Sequence, residues 1–407
     1  MPMPLSPIQA PAEAPVAAPR TLRLPFDPLL TVAVLGLAIF SVVTLRWATA
    51  NTVPGQPNYY VERQGIYLFV GLLCMVGLAR FDYSLLRRFK RGIYAGLMLS
   101  IFAVLGLGHS ALGSQRAISL PFFSFQASEL GKVLLTLALA AFIVDRSRQL
   151  RARETTALVM IAALVPAMFV IAQPDLGSGM VYVTIAFTLL FIAGAPWRQL
   201  AGLVALGVSC IALVLVVAPA IGVQLLDHYQ EARLTAFLNP TRPRPANGAS
   251  SQEEDPVYQQ EESKIAIGAG QKTGRGAEAT QIPLNYVPES HTDFIFAAVG
   301  ERYGFVGAAL LLSLYALLIW RTLRILVMSK DLFGSLVAGG VAAMLMFQVF
   351  VNVGMAIGIM PITGVTLPLM SYGGSSVIAT LLGVGLLQSI YVQARASEAL
   401  KGRVPLH

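Results

Sequence analysis

The chain has 407 residues, of which 56% are hydrophobic and only 12% charged, about half the charged share of ordinary soluble domains. Apolar runs long enough to cross a bilayer recur along nearly its whole length, which excludes a soluble domain and predicts an all-α, polytopic membrane protein; the alternating short segments of a transmembrane β-barrel are not visible. The formal net charge of +8 does not call for nucleic acid, because most basic residues stand in short loops between apolar runs, where they set orientation and meet membrane lipid headgroups.

Residues 1–25, rich in Pro and Ala without an apolar period, are expected to form a disordered tail. The first apolar run is full-length and begins well into the chain, unlike a cleaved signal peptide. Ten transmembrane helices are expected, centred on Leu29–Trp47, Gln64–Ala79, Gly92–Gly108, Leu130–Val144, Thr155–Ala172, Ser178–Gly194, Leu200–Ile221, Phe294–Trp320, Phe333–Ile357 and Ser376–Val392. The second and fourth are short by strict counting, and their ends should run on through amphipathic residues. Cys74 and Cys210 each lie in an apolar run and read as buried packing rather than a disulfide or metal site.

Loop charge orients the spans. Arg80, Arg87, Arg88, Lys90 and Arg91 follow the second, Arg146, Arg148, Arg151 and Arg153 the fourth, Arg198 the sixth, and Arg321, Arg324 and Lys330 the eighth. All fall on one side with both termini, and the positive-inside rule makes that side the cytoplasm. The expected organisation is a cytoplasmic tail (1–25), helices one to seven (26–221), a long extracytoplasmic loop between helices seven and eight (222–292), helices eight to ten (293–395) and a second cytoplasmic tail (396–407). Within the long loop, 239–256 reads as a flexible insert, whereas 258–276 mixes helical spacing with glycine turns.

The stretch 281–307 draws the eye to function. Glu289, His291 and Asp293 lead into the eighth span, and Glu301 and Arg302 lie inside it; such groups are costly in hydrocarbon and usually face a partner or a wet cavity. From spacing alone, Asp293 or Thr292 caps the eighth span, or Asp293 serves as a base, and the two roles are compatible. Glu129 and Lys132 share a helix face, either as an ion pair holding two spans together or as cavity lining with Lys132 offered to a diphosphate. Arg116 either anchors to headgroups or clamps a diphosphate. Asp175 either caps the sixth span, the simpler reading, or contributes to the pocket. Glu301 and Arg302 cannot share a face, so each should pair with another span. Ser263, Lys264, Lys272 and Arg275 are candidate sugar and phosphate contacts or a solvated basic face. Ser371, Tyr372, Ser375 and Ser376 offer hydroxyls to substrate or to the backbone of a glycine-rich loop, which at membrane depth must be covered by protein or line a cavity. His291 reads as a local hydrogen-bonding partner rather than a metal ligand, and with Thr292 it joins the substrate-binding candidates. No compact carboxylate or His/Cys cluster marks a metal site by spacing.

Six blocks, GSQRAIS (113–119), FQASELGK (125–132), QPDLGSG (173–179), FLNP (237–240), ESHTDFIFAAVGERYGFVGA (289–308) and PITGVTLPLMSYGGSS (361–376), together resemble the SEDS family (shape, elongation, division and sporulation), the RodA/FtsW/SpoVE-type peptidoglycan polymerases. The resemblance covers nearly the whole chain after residue 25, in the family's order. It implies a ten-span glycosyltransferase that links lipid II disaccharides outside the bacterial cytoplasmic membrane, beside a class B penicillin-binding protein that crosslinks the strands. It also implies dependence on a divalent cation (Mg or Mn), and it gives Asp293 the general-base role. The run NVGMAIGIMPITG is more similar to the elongation (RodA) branch than to the division (FtsW) branch. Departures from the family pattern include Gln126-Ala127-Ser128-Glu129, Ala117, Glu262 and the lengthened loop, and they bear on loop contacts rather than on the chemistry. A flippase for lipid-linked precursors and a scaffold that only recruits a cell-wall enzyme are the competing classes. The gathering of polar residues at one rim, with no internal repeat, favours the polymerase.

Overall fold

The computed structural model describes residues 26–50, 52–107, 117–119, 123–213, 256–284, 286–287 and 289–401. The tail 1–25, Arg116 and the insert up to residue 255 lie outside them. The helices are α1 (Pro28–Ala48), α2 (Tyr59–Arg80), α3 (Lys90–Leu107), α4 (Ala127–Asp145), α5 (Arg153–Ile171), α6 (Leu176–Ile192), α7 (Trp197–Ala212), α8 (Pro256–Ala269), α9 (Ile295–Met328), α10 (Leu332–Ala356) and α11 (Gly374–Lys401). A two-residue antiparallel ladder, β1 (Ile118–Ser119) against β2 (Ser124–Phe125), precedes α4.

Among the described residues, eight helices are long and apolar enough to cross a membrane. α6 and α7, with 17 and 16 residues, are apolar but shorter, so the expected count of ten rests on these two as well. The expected extension of the second and fourth spans is seen: Glu62 and Arg63 belong to α2, and Glu129 to α4. Most of α4, α10 and α11 is buried and forms the centre, whereas α2, α3 and α9 turn much of their surface outward. Without a hydrophobic drive between helices in lipid, close approach depends on small residues. Gly71 of α2 has no room for a Cβ against Leu381, and Gly385 of α11 packs on the Met75 carbonyl.

Aspartates define three helix starts. Asp27 accepts from the Leu30 amide, Asp175 from Ser178 and Asp331 from Gly334, at 3.0, 3.0 and 2.7 Å, each satisfying an amide that has no intrahelical partner. Asp175 thus caps α6 as expected. Asp27, fully buried, also pairs with Arg321 of α9, and its amide donates to Gln388 of α11. This ties three helices together at the end of the bundle where the basic loops lie.

Two features differ from expectation. Cys74 is half-buried and Cys210 exposed, because an apolar run that meets hydrocarbon has no need to face the core. α9 is not one straight rod: Gly304, at φ 62° and ψ −158°, takes a conformation open essentially to glycine alone, and the helix breaks into a short buried stub before it and a long arm after it.

Candidate active site

The stub explains how Asp293 is held. Phe294 to Gly300 are all buried, so the start of α9 is locked in the core and the turn before it stays at the rim. Neither Asp293 nor Thr292 caps α9; Phe294 occupies that position without a side-chain bond. Instead the Thr292 hydroxyl donates to the Glu289 carboxylate at 2.6 Å, and the amides of Thr292 and Phe294 both donate to the Glu289 carbonyl at 3.1 Å. Glu289 holds φ at 53° to make this turn, a conformation that costs a non-glycine residue about 1 kcal/mol or more.

Three successive carbonyls of the turn are then gripped from outside. The Tyr372 amide donates to the His291 carbonyl at 2.8 Å, the Ser371 hydroxyl to that of Thr292 at 2.5 Å, and the Asn352 side chain to that of Asp293 at 2.8 Å. Asn352 also donates to the Val365 carbonyl at 2.8 Å, and the Ser371 hydroxyl accepts from the Leu367 amide at the same distance. Leu369, between these contacts, has φ 63°. The irregular loop 357–373 thus folds back on itself and presents donors to the backbone beside Asp293. Asp293 itself is half-buried, so its side chain is held in the bundle yet open to the rim.

His291, Thr292, Ser371 and Tyr372 are therefore brought together with Asp293. The His291 ring lies 4.7 Å from that of Tyr60, between centroids. Burial lowers the His291 pKa below its ordinary value, against the opposing pull of Glu289. Ser375 stands apart: its hydroxyl donates to the Ser124 carbonyl at 2.7 Å and accepts from the Gln126 amide at 2.9 Å, joining the start of α4 to the start of α11. Ser376 pairs with Thr366.

Glu129 and Lys132 form a 2.7 Å ion pair, 4% and 1% exposed. Both partners belong to α4, so the pair does not join two spans as one reading expected. It lies beside a second polar group, in which Asp175 accepts from Ser128 at 2.7 Å and from Gln126 at 3.0 Å.

The other candidates lie on α8 and the segment that follows it to residue 284, a cover over the break in α9. Ser263 is fully buried and donates to the Ala356 carbonyl at 2.9 Å, docking α8 on the end of α10. Lys264 is exposed above Gly358, and Lys272 is exposed on the turn after α8. That turn meets the Gly304 break: the amides of Phe305 and Val306 donate to the carbonyls of Gln271 and Lys272, and the Arg275 amide donates to the Glu301 carbonyl, at 2.9, 3.1 and 2.9 Å. Backbone groups that a straight helix would have paired internally are satisfied by the cover. Glu301, fully buried, accepts from the amides of Thr280, Gln281 and Ile282 at 2.7, 2.8 and 2.9 Å. Arg302 donates to the Gly276 carbonyl and lies 5.1 Å from the Trp47 ring of α1. Glu301 is therefore tied to the cover and not to another span, while Arg302 reaches both.

Sequence reasoning missed Asn352. The available signal was a pair of amides, Gln348 and Asn352, in an otherwise apolar run, polar groups that lipid alone does not satisfy.

The chain matches the cell cycle protein family model FtsW/RodA/SpoVE over residues 26–396. It is 34% identical over 379 residues to the peptidoglycan glycosyltransferase MrdB of Escherichia coli K12, covering 92% of this chain and 95% of that one. It is 35% identical over 389 residues to the probable peptidoglycan glycosyltransferase FtsW of Thioalkalivibrio sulfidiphilus, covering 92% and 91%. Among solved structures, it superposes on the rod shape determining protein RodA of Thermus thermophilus with a TM-score of 0.63 at 29% identity, covering 92% and 98%. It superposes with 0.72 at 31% identity, covering 91% and 98%, on a chain of a peptidoglycan synthase complex described for its coordination of polymerization and crosslinking. The chain is thus a multi-pass membrane protein that belongs to the FtsW/RodA/SpoVE family.

Proposed function

We propose that this chain is a peptidoglycan glycosyltransferase that polymerises lipid II for cell elongation, with Asp293 as its general base. The observation that carries the reading is the grip on the carbonyls of His291, Thr292 and Asp293, which holds a half-buried carboxylate at the rim of an apolar bundle. The acceptor GlcNAc 4-hydroxyl gives its proton to Asp293 as its oxygen bonds to the anomeric carbon of the donor MurNAc. The bond from that carbon to the diphosphate oxygen breaks, and undecaprenyl diphosphate leaves with the electron pair. Asp293 then returns its proton to water. A single displacement inverts an α-linked donor to a β-linked product and needs no second carboxylate as nucleophile.

The remaining parts follow the same reading. The rim carrying Asp293 faces away from the cytoplasm, opposite the basic loops. Lys264 and Lys272, exposed on the cover, are suited to phosphate oxygens, whereas Lys132 is buried against Glu129. Among the described residues no group of three or more His, Cys, Asp or Glu is placed to hold a metal ion. A Mg or Mn ion would therefore rest on Asp293 or Glu289 and mainly on diphosphate oxygens, as Mg does in many phosphate sites, and would neutralise the leaving group. A class B penicillin-binding protein is the proposed partner, supported by the likeness to a chain of a synthase complex.

Purified protein in liposomes with labelled lipid II tests the chemistry: wild type should give glycan ladders, and Asp293→Asn of unchanged melting should give none. Ladders from Asp293→Asn would remove the mechanism. The branch is tested separately by expression in rod-shaped cells depleted of their elongation polymerase. Restored rods support the elongation role, and rescue of division alone assigns the chain to the septum.

A further inference from the structure

A row of aromatic rings begins at the catalytic turn and leads away from it. Tyr60, in the first turn of α2, is its hub. Its ring centroid lies 4.7 Å from that of His291, 4.8 Å from Tyr372 and 5.2 Å from Tyr59. The row continues from Tyr372 to Tyr67 at 6.1 Å and from Tyr67 to Phe123 at 5.9 Å. Five of these six residues are partly exposed; Tyr67 alone is buried. Tyr60 meets Tyr59 and Tyr372 edge-on, at 83° and 86°, so the rings form a stepped surface and not a closed stack.

Two simpler uses fit poorly. Tyrosines of an interfacial belt ring the bundle and face headgroups, whereas this row closes inward on the turn that carries Asp293, through the Tyr372 amide bound to the His291 carbonyl. A diphosphate would need donors or cations along the row, but the row itself is made of rings: Arg63 is stacked on the face of Tyr59 at 4.3 Å, at the outer end, and the Glu289 carboxylate is bonded to Thr292 within the turn. What remains is a neutral ligand with flat apolar faces. Pyranose rings carry such faces, their C–H groups weakly positive against the negative face of an aromatic ring.

We propose that this row is a saccharide subsite, which binds sugar rings of the amino-sugar glycan beyond the pair that reacts. It rests on the glycosyltransferase reading above and adds to it a track formed by Tyr59, Tyr60 and Tyr372. The track holds a strand in place between couplings, and it favours long chains over a single disaccharide because each further ring adds contact.

The probe is a peptide-free GlcNAc–MurNAc octasaccharide, compared with the disaccharide, titrated into the full-length protein in nanodiscs. Wild type should bind the octasaccharide more tightly than the disaccharide. Tyr60→Leu should lower octasaccharide affinity about threefold to tenfold, while Tyr60→Phe, which keeps the ring, should bind as wild type. If Tyr60→Leu melts early, Tyr59→Leu at the outer end of the row decides on the same measurement. A probe with a terminal 4-deoxy sugar assigns the strand: weaker binding places the acceptor on the row, equal binding the donor. Unchanged octasaccharide affinity in the Leu variants overturns the proposal. So does an equal loss in Tyr60→Phe, or an effect confined to lipid-dependent melting, which would make the tyrosines membrane anchors. Binding is read without chemistry, so glycan synthesis by Asp293→Asn would sink the base assignment and leave this measurement standing.

Discussion

Asn352 does for Asp293 what no residue adjacent to it in the chain can do. It is fully buried in the last turns of α10 and uses both amide protons, one on the Asp293 carbonyl and one on that of Val365. Replacing it by Leu leaves two carbonyls without their donors, each at a cost of about 1–3 kcal/mol. The expected outcome for Asn352→Leu is a fall in kcat of roughly tenfold or more, with KM for lipid II little changed and a lower melting temperature. A variant that melts early yet keeps its kcat would show that the contact stabilises the fold without positioning the carboxylate. The sequence pointed to Asp293 through the family resemblance, whereas spacing alone left a helix cap equally open. It was silent on the grip, since the acceptors are main-chain carbonyls that any residue carries. Asn352 lies within the NVGM run that bears on the branch, but its partners come from loops 59 and 13 residues away, a folding fact without a local signature.

At the level of elements, the break in α9 and the cover above it are one device. The break frees backbone groups, and the turn after α8 takes them up, with Gly270, Gly274 and Gly304 in mutual backbone contact. The buried Glu301 carboxylate adds three charge-assisted bonds, each worth about 1.5–3 kcal/mol. Glu301→Gln should therefore release the cover locally, with the amides of Thr280, Gln281 and Ile282 exchanging about tenfold to a hundredfold faster in deuterium exchange, while the transmembrane cores stay protected. Gly304→Ala should be worse, because its φ is disfavoured for alanine and the added Cβ would fall 2.3 Å from the Gly274 nitrogen. Equal exchange in wild type and Glu301→Gln would show that the glycine contacts alone hold the cover. Sequence reading placed Glu301 among structural groups, and rightly so. It chose a neighbouring span as partner because a charge in an apolar segment suggests one, whereas the break turns that carboxylate towards the loop.

The whole molecule was the most legible scale. Helix positions follow the apolar runs closely, since twenty or so apolar residues have few other fates. α7 shows what composition leaves open: of its residues only Leu200 is buried, so hydropathy found the helix without saying how little of it would touch the bundle. Orientation is testable in intact cells. In a variant with Cys74 and Cys210 replaced by serine, an impermeant maleimide should label Leu284→Cys on the cover and spare Ser147→Cys in the loop after α4; the reverse pattern would invert the topology. The glycine contacts beneath the cover carry a further consequence. Where main chain meets main chain there is no side chain to swap, so natural variation has little purchase at that junction. A single residue inserted between Gly270 and Gly304 would shift one main chain against the other, so changes of length should be tolerated poorly there.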